Sequence, residues 1–177
     1  METRKNRLAI ISILTVLLLS ALMFLFKNKI SDNYQKKGAV FMEVKDYSSA
    51  IRYFNKAIRW NKKSVRSNLD KGRACFFNND NEQAMASINR ALEIDSTFAE
   101  SHYLKGLVLI DEADYDNSLQ SLSRALELDS LYAEAYYQRG IAKAGLGDLR
   151  GSIADYKKAL ALNNDNIDAY LKSIEAK

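Results

Sequence analysis

The side chains that most often carry chemistry are scarce in this 177-residue chain: one His, one Cys and no Pro. One Cys excludes an intramolecular disulfide and a multi-cysteine zinc site, and one His excludes paired-histidine metal motifs. Cys75 stands three residues after Gly72, in a slot that Phe41 and Leu109 fill at the same spacing elsewhere. It reads as a small core residue, because no basic partner or second Cys is arranged around it to activate a thiolate. His102 stands four residues before Gly106 on the packing side of its helix, and reads as a core or interface residue. Asp111, Glu112, Asp114 and Asp116 form an acidic run, but it lacks the glycine and the terminal Glu of a calcium loop. No Gly-rich phosphate loop follows a strand, and no pocket is implied around a pair of carboxylates. The chain therefore reads as a non-enzyme, with no cofactor and no metal.

The elements that would position any site begin with Leu8 to Phe26, 19 residues without a charge, thirteen of them Leu, Ile, Val or Phe. As a helix this tract spans about 28 Å at ~1.5 Å per residue, close to the thickness of a bilayer's hydrocarbon core. Arg4, Lys5 and Arg7 precede it, and Lys27 and Lys29 follow it. A cleaved signal peptide is the alternative, but the tract exceeds a usual h-region and no A-x-A-like site follows. It reads as an uncleaved anchor. No small residue is followed by another four positions on, so it offers no small-xxx-small dimerisation face. The basic residues before the tract argue for an inside N-terminus, and those after it argue the reverse. Long folded domains translocate largely regardless of charge, which favours a body outside the cytoplasm.

The rest of the chain repeats. Glycines stand at 38, 72, 106 and 140, each 34 apart, and alanines at 57, 91, 125 and 159 keep the same step. Asp46, Asp80, Asp114 and Asp148 do likewise, as do the small residues Ala50, Ala84, Ser118 and Ser152 and the large ones Phe54, Ile88, Leu122 and Tyr156. A register that never slips marks a repeat architecture. One unit reads as a helical hairpin. Residues 99–112 carry Tyr103, Leu104, Leu107, Val108 and Ile110 at helical spacing, and Leu119, Leu122 and Leu126 line a second helix. Asp114 is placed to cap that second helix. Gly106 and Ala125 are small where the two helices cross. A Gly in a helix interior costs about 1 kcal/mol relative to Ala, so four of them need a packing reason.

These residues resemble the tetratricopeptide repeat (TPR) family. The likeness covers 31–166 as four units, 31–64, 65–98, 99–132 and 133–166, and rests on starts such as Tyr34…Lys37-Gly38 and Tyr136…Arg139-Gly140. It implies an all-α solenoid, preceded by the tail and anchor of 1–30 and closed by a capping helix at 167–177, where Ile167, Tyr170, Leu171 and Ile174 would face inward. The family's frequent Pro near the end of each unit is missing, and Asn61, Asp95, Asp129 and Asn163 are expected to cap instead. Asn68 and His102 replace the opening aromatic. Lys143 stands where a large apolar residue is usual, so looser packing is expected in the fourth unit.

The resemblance implies a protein-binding role. The first helix of each pair lines the concave face, where a peptide or an amphipathic helix would lie. Slots counted in threes and fours place Arg66, Leu69, Arg73, Phe76 and Phe77 there. Glu100, Tyr103, Leu107 and Ile110 follow in the third unit, and Glu134, Tyr137 and Ile141 in the fourth. Part of this set is expected to pack between units. Some TPR domains grip the acidic C-terminus of heat-shock chaperones with a Lys/Asn/Asn/Lys/Arg clamp. The aligned places here are Gln35, Ala39, Asp70, Glu100 and Leu104, and none fits. The reading is thus a membrane-tethered adaptor or assembly factor, with a scaffold that self-associates through its repeat surfaces as the alternative.

Charge is uneven: +5 over 31–64 but −5 over 99–132. The acidic third unit disfavours nucleic acid. Lys36, Lys37, Lys45, Arg52, Lys56, Arg59, Lys62 and Lys63 in repeat one could rest against anionic headgroups, with a solvated helix face as the alternative.

Overall fold

The structure, a computed structural model, describes residues 2–162, with side chains from residue 13 onward. The expected capping helix at 167–177 and the cap at Asn163 lie outside the described residues. Among the described residues eight helices follow one another: α1 (Glu2–Glu43), α2 (Tyr47–Trp60), α3 (Val65–Phe77), α4 (Asn81–Ile94), α5 (Ala99–Asp111), α6 (Tyr115–Leu128), α7 (Ala133–Gly145) and α8 (Leu149–Ala161). No strand occurs among the described residues. Each helix packs on the next, and the odd-numbered helices also touch one another, α1 on α3, α3 on α5 and α5 on α7. The odd helices therefore form the inner layer of a curved stack, and the even ones its outside.

α1 runs unbroken for 42 residues, from the apolar tract into the first hairpin. Neither Gly nor Pro stands between Phe26 and Gly38 to interrupt it. From Ile13 to Phe26 its large apolar side chains are 54–65% exposed. Among the described residues one helix is long and apolar enough to cross a membrane, by length and composition. Contact with the stack starts at Asn28, whose Oδ1 accepts from Asn61 Nδ2 at 3.1 Å. Ser31, fully buried, then donates its hydroxyl to the Ala57 carbonyl at 3.0 Å.

The turns inside the hairpins share one design. Lys45, Asn79, Ala113 and Gly147, again 34 apart, all have positive φ. In each turn the positive-φ residue and the Asp after it donate backward to the helix just ended. Lys45 N bonds Met42 O and Asp46 N bonds Phe41 O, and the pattern recurs at Ala113 with Ile110 and at Asp114 with Leu109. This is a Schellman ending, which satisfies carbonyls that the helix itself leaves open. The same Asp then starts the next helix. Asp46, Asp80, Asp114 and Asp148 accept from the backbone N–H three residues on.

Between hairpins the expectation needs correcting. Asn61, Asp95 and Asp129 end α2, α4 and α6 and do not cap the helices that follow. Their side chains accept from the N–H of Lys63, Thr97 and Leu131, two residues on, as Asx turns. Ser64 caps α3, whereas α5 and α7 start at Phe98 and Tyr132 without a side-chain cap. Asn68 and His102, in the place of the opening aromatic, bond these turns: Asn68 Nδ2 donates to Ser64 O at 2.8 Å, and His102 Nε2 lies 2.9 Å from Ser96 O.

The core is a chain of small clusters. Leu69, Cys75, Ile88, Leu104 and Val108 join the second and third hairpins, and Leu122, Ala125, Leu126, Ala135 and Ala142 the third and fourth. Burial pushes the Cys75 thiol up, away from the reactive thiolate. In the fourth hairpin Lys143 is accommodated by a local change of chemistry. Its Nζ lies 2.8 Å from Asp155 on α8, and Arg139 grips the same carboxylate through two bonds of 2.7 and 2.8 Å. Ser87 and Ser121 hold the place of Asp155 in the second and third hairpins. Burial pushes the Asp155 carboxyl up, but the bonds from Arg139 and Lys143 outweigh it and hold its pKa below the usual carboxylate range.

Candidate functional site

Side chains in one slot of successive hairpins stand side by side across the odd helices. The slot of Arg66 continues as Glu100 and Glu134, and that of Arg73 as Leu107 and Ile141. This adjacency builds a charged network over α1, α3 and α5. Arg66 Nη1 donates to Glu100 Oε2 at 2.8 Å, and Arg73 pairs with the other oxygen of the same carboxylate. Asp70 lies 3.2 Å from Arg66 Nε and 3.6 Å from Arg73 Nη1, and it accepts from Gln35 Nε2 at 3.0 Å. Two guanidinium groups thus meet two carboxylates, and the cluster has no net charge.

Beside the network the inner face is hollowed. Ala39 occupies the slot that Arg73, Leu107 and Ile141 fill further on. A hollow of about 320 Å³ opens there, lined by Asp32, Gln35, Lys36, Ala39, Arg66 and Asp70. An adjoining one of about 240 Å³ reaches past Ala39 to Met42 and Phe54.

Further along, the face is aromatic. Tyr103 lies 4.8 Å from Tyr132 between ring centroids, and Tyr137 lies 5.6 Å from Tyr156. Burial, then the nearby charge of Glu134, pushes the Tyr103 phenol up to about 12, so it stays a neutral hydrogen-bonding group. Tyr132 is pushed up as well, first by burial and then by Tyr103.

The sequence-derived set divides. Arg66 and Glu134 are exposed, and Arg73, Glu100, Tyr103, Leu107, Tyr137 and Ile141 are half-buried on odd helices. Phe76 packs half-buried against the core of the second hairpin, and Ile110 does so in the third. Leu69 is fully buried in that core and presents nothing outward. Phe77 stacks on Tyr47 of α2, 5.6 Å between centroids, which draws it toward the outer layer. Sequence reasoning gave no part to Gln35 and Asp70 in the network, nor to Tyr132. The signals were present: Asp70 is four residues after Arg66 and three before Arg73, spacings that meet on a helix. At the clamp places, Gln35 and Asp70 bond each other, Glu100 is held by both arginines, and Leu104 is buried. Among the described residues no group of three or more His, Cys, Asp or Glu side chains could hold a metal ion.

A stack of helical hairpins with a continuous inner face defines an α-solenoid scaffold. Three family models match the chain: a tetratricopeptide repeat model over residues 41–108, a TPR repeat model over 106–147 and a second tetratricopeptide repeat model over 133–166. The chain carries tetratricopeptide repeats, and its fold is a TPR-type solenoid.

Solved structures agree on the fold. The chain is similar to pilF of Pseudomonas aeruginosa (TM-score 0.75, 19% identical, covering 84% of this chain and 71% of that one). It is similar to MamA (0.68, 21%, covering 78% and 81%). It is also similar to the first TPR of Spaghetti (RPAP3) bound to an HSP90 peptide, SRMEEVD (0.66, 16%, covering 68% and 95%). No curated protein matches the chain in sequence.

Proposed function

We propose that this protein is a membrane-tethered adaptor or assembly factor that holds a peptide or helix of a partner protein across the face of its odd helices. The observation that carries the reading is the inner face itself, where Tyr103, Leu107, Tyr137 and Ile141 are half-buried beside a charge-balanced network and an open hollow at Ala39. Half-buried aromatic and aliphatic groups next to fixed polar ones suit a laid-in segment, which gains apolar burial and directional hydrogen bonds together. A neighbour of the same fold bound to a peptide supports the use of this fold for such a ligand. The reading assigns the chain no catalytic step, cofactor or metal. Leu8 to Phe26 is the tether, with the N-terminus inside and the hairpins outside the cytoplasm.

The experiment compares the full chain with a Tyr103→Ala, Tyr137→Ala double variant in capture of partners from detergent extracts, with helicity followed by circular dichroism. Capture is expected to fall while helicity stays. Unchanged capture contradicts the groove reading. A stable oligomer of the full chain by light scattering, with no captured partner, points instead to a self-associating scaffold. Protease added to intact cells tests the orientation: hairpins that resist cleavage until the membrane is opened contradict it.

A further inference from the structure

The unbroken α1 fixes the level at which the first hairpin meets the end of the apolar tract. Asn28 is two residues past Phe26, about 3 Å further along the helix. Asn61, in the α2–α3 turn, bonds Asn28 at 3.1 Å, and the buried Ser31 bonds the Ala57 carbonyl one turn earlier in α2. Resting on the membrane-tether reading above, we propose that the α2–α3 turn, through Arg59, Trp60, Lys62 and Lys63, lies on the anionic headgroups of the bilayer that α1 crosses.

The composition of this turn follows its place in the stack and not the needs of the repeat. The sequence there is Arg59-Trp60-Asn61-Lys62-Lys63, with three basic residues and no acidic one. The equivalent turns read Glu93-Ile94-Asp95-Ser96-Thr97 and Glu127-Leu128-Asp129-Ser130-Leu131, with two acidic residues and no basic one in each. All three make the same Asx turn, so the backbone does not require the basic residues. Trp60 is 40% exposed, and it is the chain's single Trp. Trp favours the boundary between headgroups and hydrocarbon, and clustered Lys and Arg favour anionic lipid within a Debye length. Lys27 and Lys29 flank Asn28 on α1, exposed and at the same level.

The same geometry narrows the basic surface of the first hairpin. Glu43, the last residue of α1, is 15 residues beyond Asn28, about 22 Å along the helix, and Lys45 follows it in the turn, well outside a Debye length of roughly 8 Å. Arg52 stands nine residues before Asn61 on α2, about 13 Å away from that level. Lys56 is engaged elsewhere, its ammonium 4.9 Å from the ring centre of Tyr53 and 5.7 Å from that of Tyr34. The contact is therefore the turn, not the whole hairpin.

Because Trp60 is single, its fluorescence reads the contact directly. The full chain is reconstituted into vesicles of phosphatidylcholine with or without phosphatidylserine, using lipids brominated near the headgroup or at mid-chain. Flotation and resistance to an alkaline wash report the tether. The expected result is a floating chain whose Trp60 emission is lost with shallow bromines, more so with phosphatidylserine present. Lys62→Glu with Lys63→Glu should still float but lose both effects. A floating chain whose Trp60 emission ignores bromine in every mixture overturns the inference while leaving the tether intact. A doubly substituted chain quenched like the original overturns the electrostatic basis. A chain that washes off contradicts the tether, and the inference falls with it.

Discussion

Leu122 lies directly against Gly106: a β-carbon built on Gly106 would stand 2.5 Å from Leu122 Cγ. The same relation holds for Gly38 with Phe54, Gly72 with Ile88 and Gly140 with Tyr156. Each glycine is thus the packing surface for a large, fully buried residue of the facing helix, and this offsets its cost in helix propensity. Propensity alone would make Gly106→Ala stabilising by about 1 kcal/mol. The overlap reverses the sign, and the expected loss is about 1–3 kcal/mol by urea denaturation. In a Leu122→Ala background the same change should become neutral or stabilising.

Ala113 has φ +57°, where Gly147 stands in the fourth hairpin at φ +83°. A β-carbon in this region costs about 1–2 kcal/mol, part of which glycine returns as entropy in the unfolded chain. Ala113→Gly should therefore stabilise the fold by about 0.5–1 kcal/mol, read as a higher urea midpoint with an unchanged slope. Gly147→Ala should lower it, and for backbone reasons alone, since an added β-carbon there meets nothing within 4 Å.

Much of the stack was legible because it is periodic. The Gly and large-residue columns and the Asp caps each recur in all four hairpins, and each describes a contact that must be made identically every time. What was hidden is what happens once. Lys143 was legible as a departure, but its pairing with the buried Asp155 was not, because neither residue repeats at its column. Leu69 and Tyr103 share a slot, yet Leu69 is swallowed by the core while the longer, phenolic Tyr103 reaches the face. The repeat units, counted from residue 31, also suggested a boundary at residue 30. Helix formation ignores that boundary because nothing between Phe26 and Gly38 breaks a helix, and packing on α2 starts already at Asn28. Asp95 and Asp129 were expected to cap in place of the missing Pro; their side chains close their own turns, two residues on.

Asp155 makes the fourth hairpin sensitive to acid. Its pKa is depressed in the fold, so its stabilisation is complete above the unfolded carboxylate value near pH 4 and is lost as pH falls through the lower folded value. Asp155→Asn leaves Arg139 and Lys143, each 20% exposed, without their carboxylate. The expected cost at pH 7 is about 3 kcal/mol. The gap between the two proteins should narrow toward pH 2 in parallel urea titrations; a gap independent of pH contradicts the role given to the ion cluster.

Glu100 and Asp70 keep Arg66 and Arg73 occupied. The original face should therefore bind a short acidic peptide poorly. Glu100→Gln with Asp70→Asn removes both negative charges and frees the two guanidinium groups. Affinity for that peptide, read by fluorescence anisotropy, should rise roughly tenfold or more, the scale of one charge-assisted hydrogen bond. The gain should shrink as salt is added.

The central claim is that partners are held on the face of the odd helices. Site-specific photocrosslinking in cells tests it most directly, with a photoreactive residue placed singly at Glu134 or Tyr137 on α7, and at Asn55 on α2 or Asn89 on α4. Partner adducts are predicted from Glu134 and Tyr137 and not from Asn55 or Asn89. Adducts confined to Asn55 and Asn89 would place the partner on the outer layer and contradict the claim.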